Sequence, residues 1–236
     1  MRSFRILIWL LLVVGASVIT ASRLGGSPRQ AVTGGGAPAS QTIAPAFPKD
    51  VHPETGNRLP EIKREDLDET VKKLYDTRRP GGAYGPGALR LYSPQVEQYM
   101  SDLNEYLRRK SGLDPRLVEL AILVTAREMD CEYVWTAHEP MGLKAGLSQE
   151  TIDVVKYRKA LNGVSEKEAT IIQLGRESVG KHRVSSETAA HALNLFGNQG
   201  VVNFASLMGD YASTAILLST FDQHVRPTDK PLLPLP

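Results

Sequence analysis

Three side chains in one stretch are equipped to move protons: Glu119, Cys131 and His138. A carboxylate, a thiol and an imidazole are common acids, bases and nucleophiles of enzymes. Glu119 sits inside the apolar run Val118-Glu119-Leu120-Ala121-Ile122-Leu123-Val124, and Cys131 is the only cysteine. Isolated burial of a carboxylate is costly, so Glu119 must be protonated, hydrogen-bonded or paired. Arg116, three residues earlier, is the local partner; His138 on a following helix is the partner that would orient an imidazole and raise its pKa.

Spacing limits what the three can do together. Cys131 and His138 are seven residues apart, on one stripe of a helix but about 10 Å apart along its axis. No hydrogen bond spans that distance, which disfavours a protease-type Cys–His dyad. Val134 lies between them. Pro140 removes a backbone donor beside His138 and predicts a bend there. Tyr133 and Trp135 are expected in the pocket wall or core, and Tyr84, in a Gly/Pro loop, as a pocket lid.

These residues must be carried by helices. Apolar residues recur at helical spacing from Glu61 onward, and no alternating strand pattern is visible. An amphipathic piece covers Arg64 to Asp76. Ser93-Pro94 opens a helix expected to bury Val96, Met100, Leu103 and Leu107; Asp114-Pro115 opens one, to about Met129, that is apolar on most faces and therefore central. The next spans Cys131 to Lys144. Ser148 caps a helix through Leu161, and Ser165-Glu166-Lys167-Glu168 is a capping box. Ser185 or Ser186 starts a helix to Gly197, and a last helix runs from Gly200 to Val225. The expected fold is an all-α bundle of about seven or eight helices.

The chain has 236 residues, 42% of them apolar, enough for one domain with a core. Arg2 and Arg5 precede the uncharged apolar run Ile6–Ile19, which reads as a signal peptide over residues 1–22, or else as an uncleaved membrane anchor. Removing Arg2 and Arg5 from the 28 basic residues leaves 26, equal to the 26 acidic ones. The globular part is expected to be secreted or periplasmic, with any membrane contact through the N-terminal segment alone. Residues 23–60 read as a Gly/Pro/Ala-rich flexible linker, residues 61–227 as the helical domain and residues 228–236 as a Pro-rich tail that packs on a neighbouring subunit or stays free. A net charge of +2 without a basic, aromatic-interleaved patch argues against nucleic acid as a partner. One cysteine excludes zinc-type cysteine spacing and an internal disulfide. No metal or cofactor is expected.

The order Glu119-x11-Cys131-x6-His138, followed by Ala145-Gly146-Leu147-Ser148, resembles the carboxymuconolactone decarboxylase and alkylhydroperoxidase-D-like family. The resemblance spans residues 62–227 and is most specific over 115–150. It implies an all-helical homo-oligomer with a pocket lined by Glu119, Cys131 and His138. Peroxidase members carry Cys-x-x-Cys, and here the second cysteine position is Val134, so disulfide cycling within one subunit is impossible. The decarboxylase branch uses a histidine and carboxylates without a thiol. The expected function is therefore proton transfer by Glu119 and His138 on a lactone or organic acid. The alternatives are a single-cysteine peroxidase using Cys131 and a non-catalytic binding oligomer.

Overall fold

Helix-start chemistry is read directly into this structure, a computed structural model that describes residues 47–235 except 79–81 and 83. Eight α-helices follow in order among these residues: α1 Glu69–Arg78, α2 Pro86–Arg90, α3 Pro94–Glu105, α4 Pro115–Glu128, α5 Glu132–Lys144, α6 Gln149–Lys156, α7 Glu166–Gly175 and α8 Ser186–Thr220. The only strand-like pairing among them is an isolated bridge between His52 and Asn57. Asp114, Ser148, Ser165 and Ser185 each accept a hydrogen bond from a backbone N–H in the first turn of their helix, and Ser165 and Glu168 form the reciprocal capping box. The all-α expectation holds.

The core forms around α4. From Leu117 to Arg127 every residue of this helix is buried, and it packs against α5, α6, α7 and α8. A helix apolar on nearly every face can be stable only when surrounded. Helix α8 breaks at Gly197, whose φ of 67° places it in the left-handed region, so the two predicted helices meet at a kink. It is long and apolar enough to cross a membrane, but it is half buried against the protein, as core helices are.

Several expectations need correction. The first amphipathic piece is a 3-10 turn at Arg64–Asp66 followed by α1, because Leu67 is extended. Helix α6 stops at Lys156, where Tyr157 caps it and Arg158 takes a positive φ. Helix α3 leaves Val96 and Leu103 exposed and buries Glu97, while Leu107, just beyond its end, is buried as expected. It continues as a π-helical turn, Tyr106–Lys110. The predicted linker reaches too far: within it, Val51, Thr55 and Asn57 are buried. Asn57 Nδ2 donates to Gln223 Oε1 at 3.0 Å, and the Arg58 N–H donates to the Phe221 carbonyl at 2.9 Å. The tail packs on its own chain. Leu233 is buried, the Leu232 N–H donates to Thr136 Oγ1, and Arg127 donates to the Pro234 carbonyl. The predicted signal segment, and the linker as far as residue 46, lie outside the described residues.

Candidate active site

Two adjacent core helices carry the proton-transfer pair. Glu119 lies one turn into α4 and His138 on α5, and His138 Nδ1 is 2.7 Å from Glu119 Oε2. An ionised carboxylate can only accept, so the shared hydrogen is on Nδ1. That fixes the neutral imidazole as the Nδ1–H tautomer and leaves a lone pair on Nε2.

The other carboxylate oxygen is held by a residue the sequence did not single out. Arg108 Nη2 donates to Glu119 Oε1 at 2.7 Å. Arg108 lies in the π-helical turn after α3, where Leu107 turns into the core. The predicted partner, Arg116, pairs instead with Glu168 at 2.8 Å. The run Arg108-Arg109-Lys110 is the one local signal for a cation here, but it does not say which of the three turns inward.

Electrostatics separate the states of the pair. Burial opposes the Glu119 charge, but the hydrogen bonds and charges of His138 and Arg108 outweigh it and hold its pKa below the ordinary carboxylate range. Burial pushes His138 down, more than its bond to Glu119 raises it, and the Arg108 charge adds to the lowering. Glu119 thus raises the imidazole pKa as expected, but burial outweighs it and the net shift is downward. At neutral pH the pair is a carboxylate and a neutral imidazole.

Tyr211 of α8 completes the wall. Its ring meets the imidazole edge-on, with centroids 5.1 Å apart and planes at 90°. Burial pushes its hydroxyl pKa up to about 12, so it stays a neutral phenol. Asn104 of α3 hydrogen-bonds Tyr211 and donates to Asp210 Oδ2 at 2.7 Å. No local pattern marks Asn104 or Tyr211 in the sequence.

These groups border a cavity of about 470 Å³, large enough for a small organic molecule. Tyr133, Val134 and His138 line it from α5, and Arg90, Asn104, Arg108 and Tyr211 face it from neighbouring elements. Tyr133 and Val134 thus lie where a pocket wall was expected. Gly85, at φ 93°, seats its backbone against the Tyr133 ring; a Cβ there would lie 2.5 Å from the phenol oxygen.

The other predicted site residues lie elsewhere. Trp135 is fully buried and donates from its indole to Glu139, a carboxylate that also takes Lys156 Nζ at 2.7 Å. It is core, since the next position around the helix from Val134 turns away from the cavity. Tyr84 donates to the Pro53 carbonyl at 2.8 Å and does not border the cavity, so it is no lid over it. Cys131 precedes α5 as its N-cap residue and borders a separate pocket of about 270 Å³ with Asp222, Gln223 and His224. Burial raises its thiol pKa, more than the amides of Tyr133 and Val134 lower it. No cluster of three metal-ligating side chains occurs among the described residues.

Residues 94–173, which contain Glu119, Cys131 and His138, match the carboxymuconolactone decarboxylase family. Over this span the chain is carboxymuconolactone decarboxylase-like. Two solved structures share the fold. One is an alkylhydroperoxidase AhpD core, an uncharacterized peroxidase-related protein from Ralstonia eutropha; it is 14% identical with a TM-score of 0.58, over 72% of this chain and 92% of that one. The other, from Agrobacterium tumefaciens, is a protein of unknown function associated with AhpD-type antioxidant defence; it is 17% identical with a TM-score of 0.53, over 58% of this chain and 94% of that one. No curated protein matches the chain. The matched residues 94–173 include Asn104, Arg108, Glu119 and His138, while Arg90 and Tyr211 reach the cavity from outside them.

Proposed function

We propose that this chain is an enzyme that decarboxylates or isomerises a lactone or related small organic acid, with His138 as the proton-carrying group. The carrying observation is the 2.7 Å contact of His138 Nδ1 with Glu119 beside a cavity of substrate size. Family resemblance supports a decarboxylase or alkylhydroperoxidase-like activity in general.

The steps follow from the pair. In an isomerisation, Nε2 takes a proton from carbon next to a carbonyl, and the C–H electron pair moves into an enolate. Glu119 stabilises the imidazolium without accepting its proton. Return of the proton from Nε2 to a different carbon completes the shift. In a decarboxylation, the neutral imidazole first takes a proton from solvent on Nε2; the C–CO₂ bond then breaks, its electron pair enters the conjugated carbonyl system as CO₂ leaves, and the imidazolium passes that proton to the carbanionic carbon. Arg90, Arg108 and the neutral Tyr211 hydroxyl supply positive charge and a donor for the developing enolate oxygen.

A second reading has one observation in its favour: Cys131 stands at the N-terminus of α5, where the amides of Val134 and Tyr133 act to lower its thiol pKa against the larger effect of burial. A one-cysteine peroxidase would reduce a hydroperoxide to an alcohol as Cys131 becomes a sulfenic acid, which an external thiol would then reduce. Its raised pKa and its pocket apart from His138 support the acid–base reading instead. Screening lactones and organic acids against the wild type, His138→Ala and Cys131→Ser tests both. Loss in His138→Ala with a mild effect of Cys131→Ser supports proton transfer, and the reverse order supports the peroxidase. The basic start and apolar run of the first 22 residues support export of the enzyme; comparing the N-terminus of the cell-exported protein with Met1 tests this.

A further inference from the structure

Glu119 and Arg108 also border a second depression. It is a groove of about 520 Å³ between the π-helical turn after α3, the start of α4 and the end of α5. Its volume falls in the range of about 300–1,000 Å³ usual for small-molecule sites. Arg108 and Arg109 border both this groove and the cavity at His138. Leu113, Val118, Met141 and Lys144 border the groove and not the cavity. The two spaces are therefore neighbours across a wall that contains both arginines.

We propose that this groove binds a small organic acid, a carboxylate on a short apolar body, at a site separate from the cavity. The inference does not rest on the proton chemistry proposed above. Charge sets the head group. Arg108, Arg109 and Lys144 line the groove against a single carboxylate, Glu119. Both oxygens of that carboxylate are already held, one by Arg108 and one by His138. Asp114, beside the groove in sequence, accepts from the Arg116 N–H at the start of α4. Arg109 pairs with Glu105 at 3.5 Å, on the surface where water screens the contact. Lys144 has no ion-pair partner among the described residues.

Arg108 shows that an acceptor is wanting on this side. Its Nη2 lies 3.8 Å from Met141 Sδ, so part of the guanidinium faces the groove, and a thioether is a weak acceptor. Its Nε is buried and makes no hydrogen bond, an uncommon state for a buried donor. A carboxylate seated between Arg108 and Lys144 offers the guanidinium and the ammonium a charged acceptor, which makes the stronger kind of hydrogen bond. The apolar lining sets the rest of the ligand. Leu113 and Val118 lie on one side, and Met141, 46% exposed, presents surface that a short alkyl chain would cover. An acid bound there touches the same guanidinium that holds Glu119.

Titration calorimetry of the full-length chain with hexanoate tests the site. Hexanoate is expected to bind, and Lys144→Ala should weaken it about tenfold, as loss of a charged hydrogen bond does. Lys144→Glu should weaken it further. Arg90→Met, at a residue that borders the cavity and not the groove, should leave it unchanged. Hexanol keeps the body without the charge, and acetate keeps the charge without the body; each should bind about tenfold more weakly or worse. Circular dichroism checks that the Lys144 variants stay helical. Nuclear magnetic resonance of isotope-labelled methionine methyl groups locates the ligand: the Met141 signal, identified by its loss in Met141→Leu, should move as hexanoate is added. Absence of binding, undiminished binding in Lys144→Ala, or hexanol binding as tightly as hexanoate would each overturn the proposal. So would binding that is lost in Arg90→Met instead, since that places hexanoate in the cavity.

Discussion

Arg108 occupies one oxygen of Glu119 and thereby leaves only the other for His138. The 2.7 Å Arg108–Glu119 contact and the 2.7 Å Glu119–His138 contact share a single carboxylate. Such a carboxylate has little freedom to rotate. It cannot serve the imidazole in more than one geometry, so the tautomer and the ring orientation are set before any substrate enters.

Removing the pair should show that it acts as a unit. His138→Ala should lower turnover about 10²-fold or more, in line with general acid–base contributions. Glu119→Gln should cost a similar factor. The double substitution should cost little beyond either single one, because members of a unit are not additive. Steady-state kinetics on the substrate found by screening checks this, and fully additive losses would refute a shared role.

The pH profile should respond to Arg108. The base works only when His138 is neutral, and its pKa lies below the ordinary 6.5. Activity should therefore fall as pH drops through that lowered value. The Arg108 charge contributes to the lowering, so Arg108→Met should move the acid limb to higher pH, and Arg108→Lys should restore part of the shift. A limb that stays in place in Arg108→Met would separate the guanidinium from the titration of His138.

Acid stability should depend on Glu177. Its pKa is lowered to about 2, first by the backbone N–H of Ser185 and then by the Gln173 side chain. A depressed carboxylate stabilises the fold above its unfolded value of 4.5, and that contribution disappears as pH falls towards 2. Glu177→Gln should lower the melting temperature at pH 7 and reduce its fall between pH 4.5 and pH 2.

At the alkaline end Tyr211 should act in the opposite sense. Its pKa is raised from 10 to about 12, so the buried phenol adds no pH dependence below pH 10 and stability declines as pH rises through 12. Tyr211→Phe should flatten that decline while keeping the ring against His138. Phenolate absorbance should show one tyrosine titrating late in the wild type and missing in the variant.

The segment before α1 should be structural. Deleting residues 47–60 removes the buried Val51 and Asn57 and breaks the bond from Arg58 to the end of α8. Thermal unfolding should shift down by several degrees or more, given that one to two kcal/mol moves small domains that far. An unchanged melting curve would return this stretch to the role of a tether.

Local chemistry made much of this protein legible in its sequence. Caps at Asp114, Ser148, Ser165 and Ser185 act within four residues, so the helix starts they mark depend on little else. The apolar run of α4 required a central position, and a carboxylate inside it required a partner. Which partner was a different matter. Arg116 was nearer in sequence, yet the rotation of α4 turns it towards Glu168, and the π-helical turn at Tyr106–Lys110 turns Arg108 inward. Periodicity alone misjudged α3, because its outer face is as apolar as a buried one and Glu97 is buried beneath it. Cys131 and His138 share a stripe only if Cys131 is helical; as an N-cap it opens towards another pocket. Tyr211 and Asn104 reach the site from distant parts of the chain. Sequence determined which helices form and that Glu119 could not stand alone, because those are local consequences of capping and desolvation. Only tertiary packing decided what stands beside it, because the facing of one helix on another depends on every helix around it.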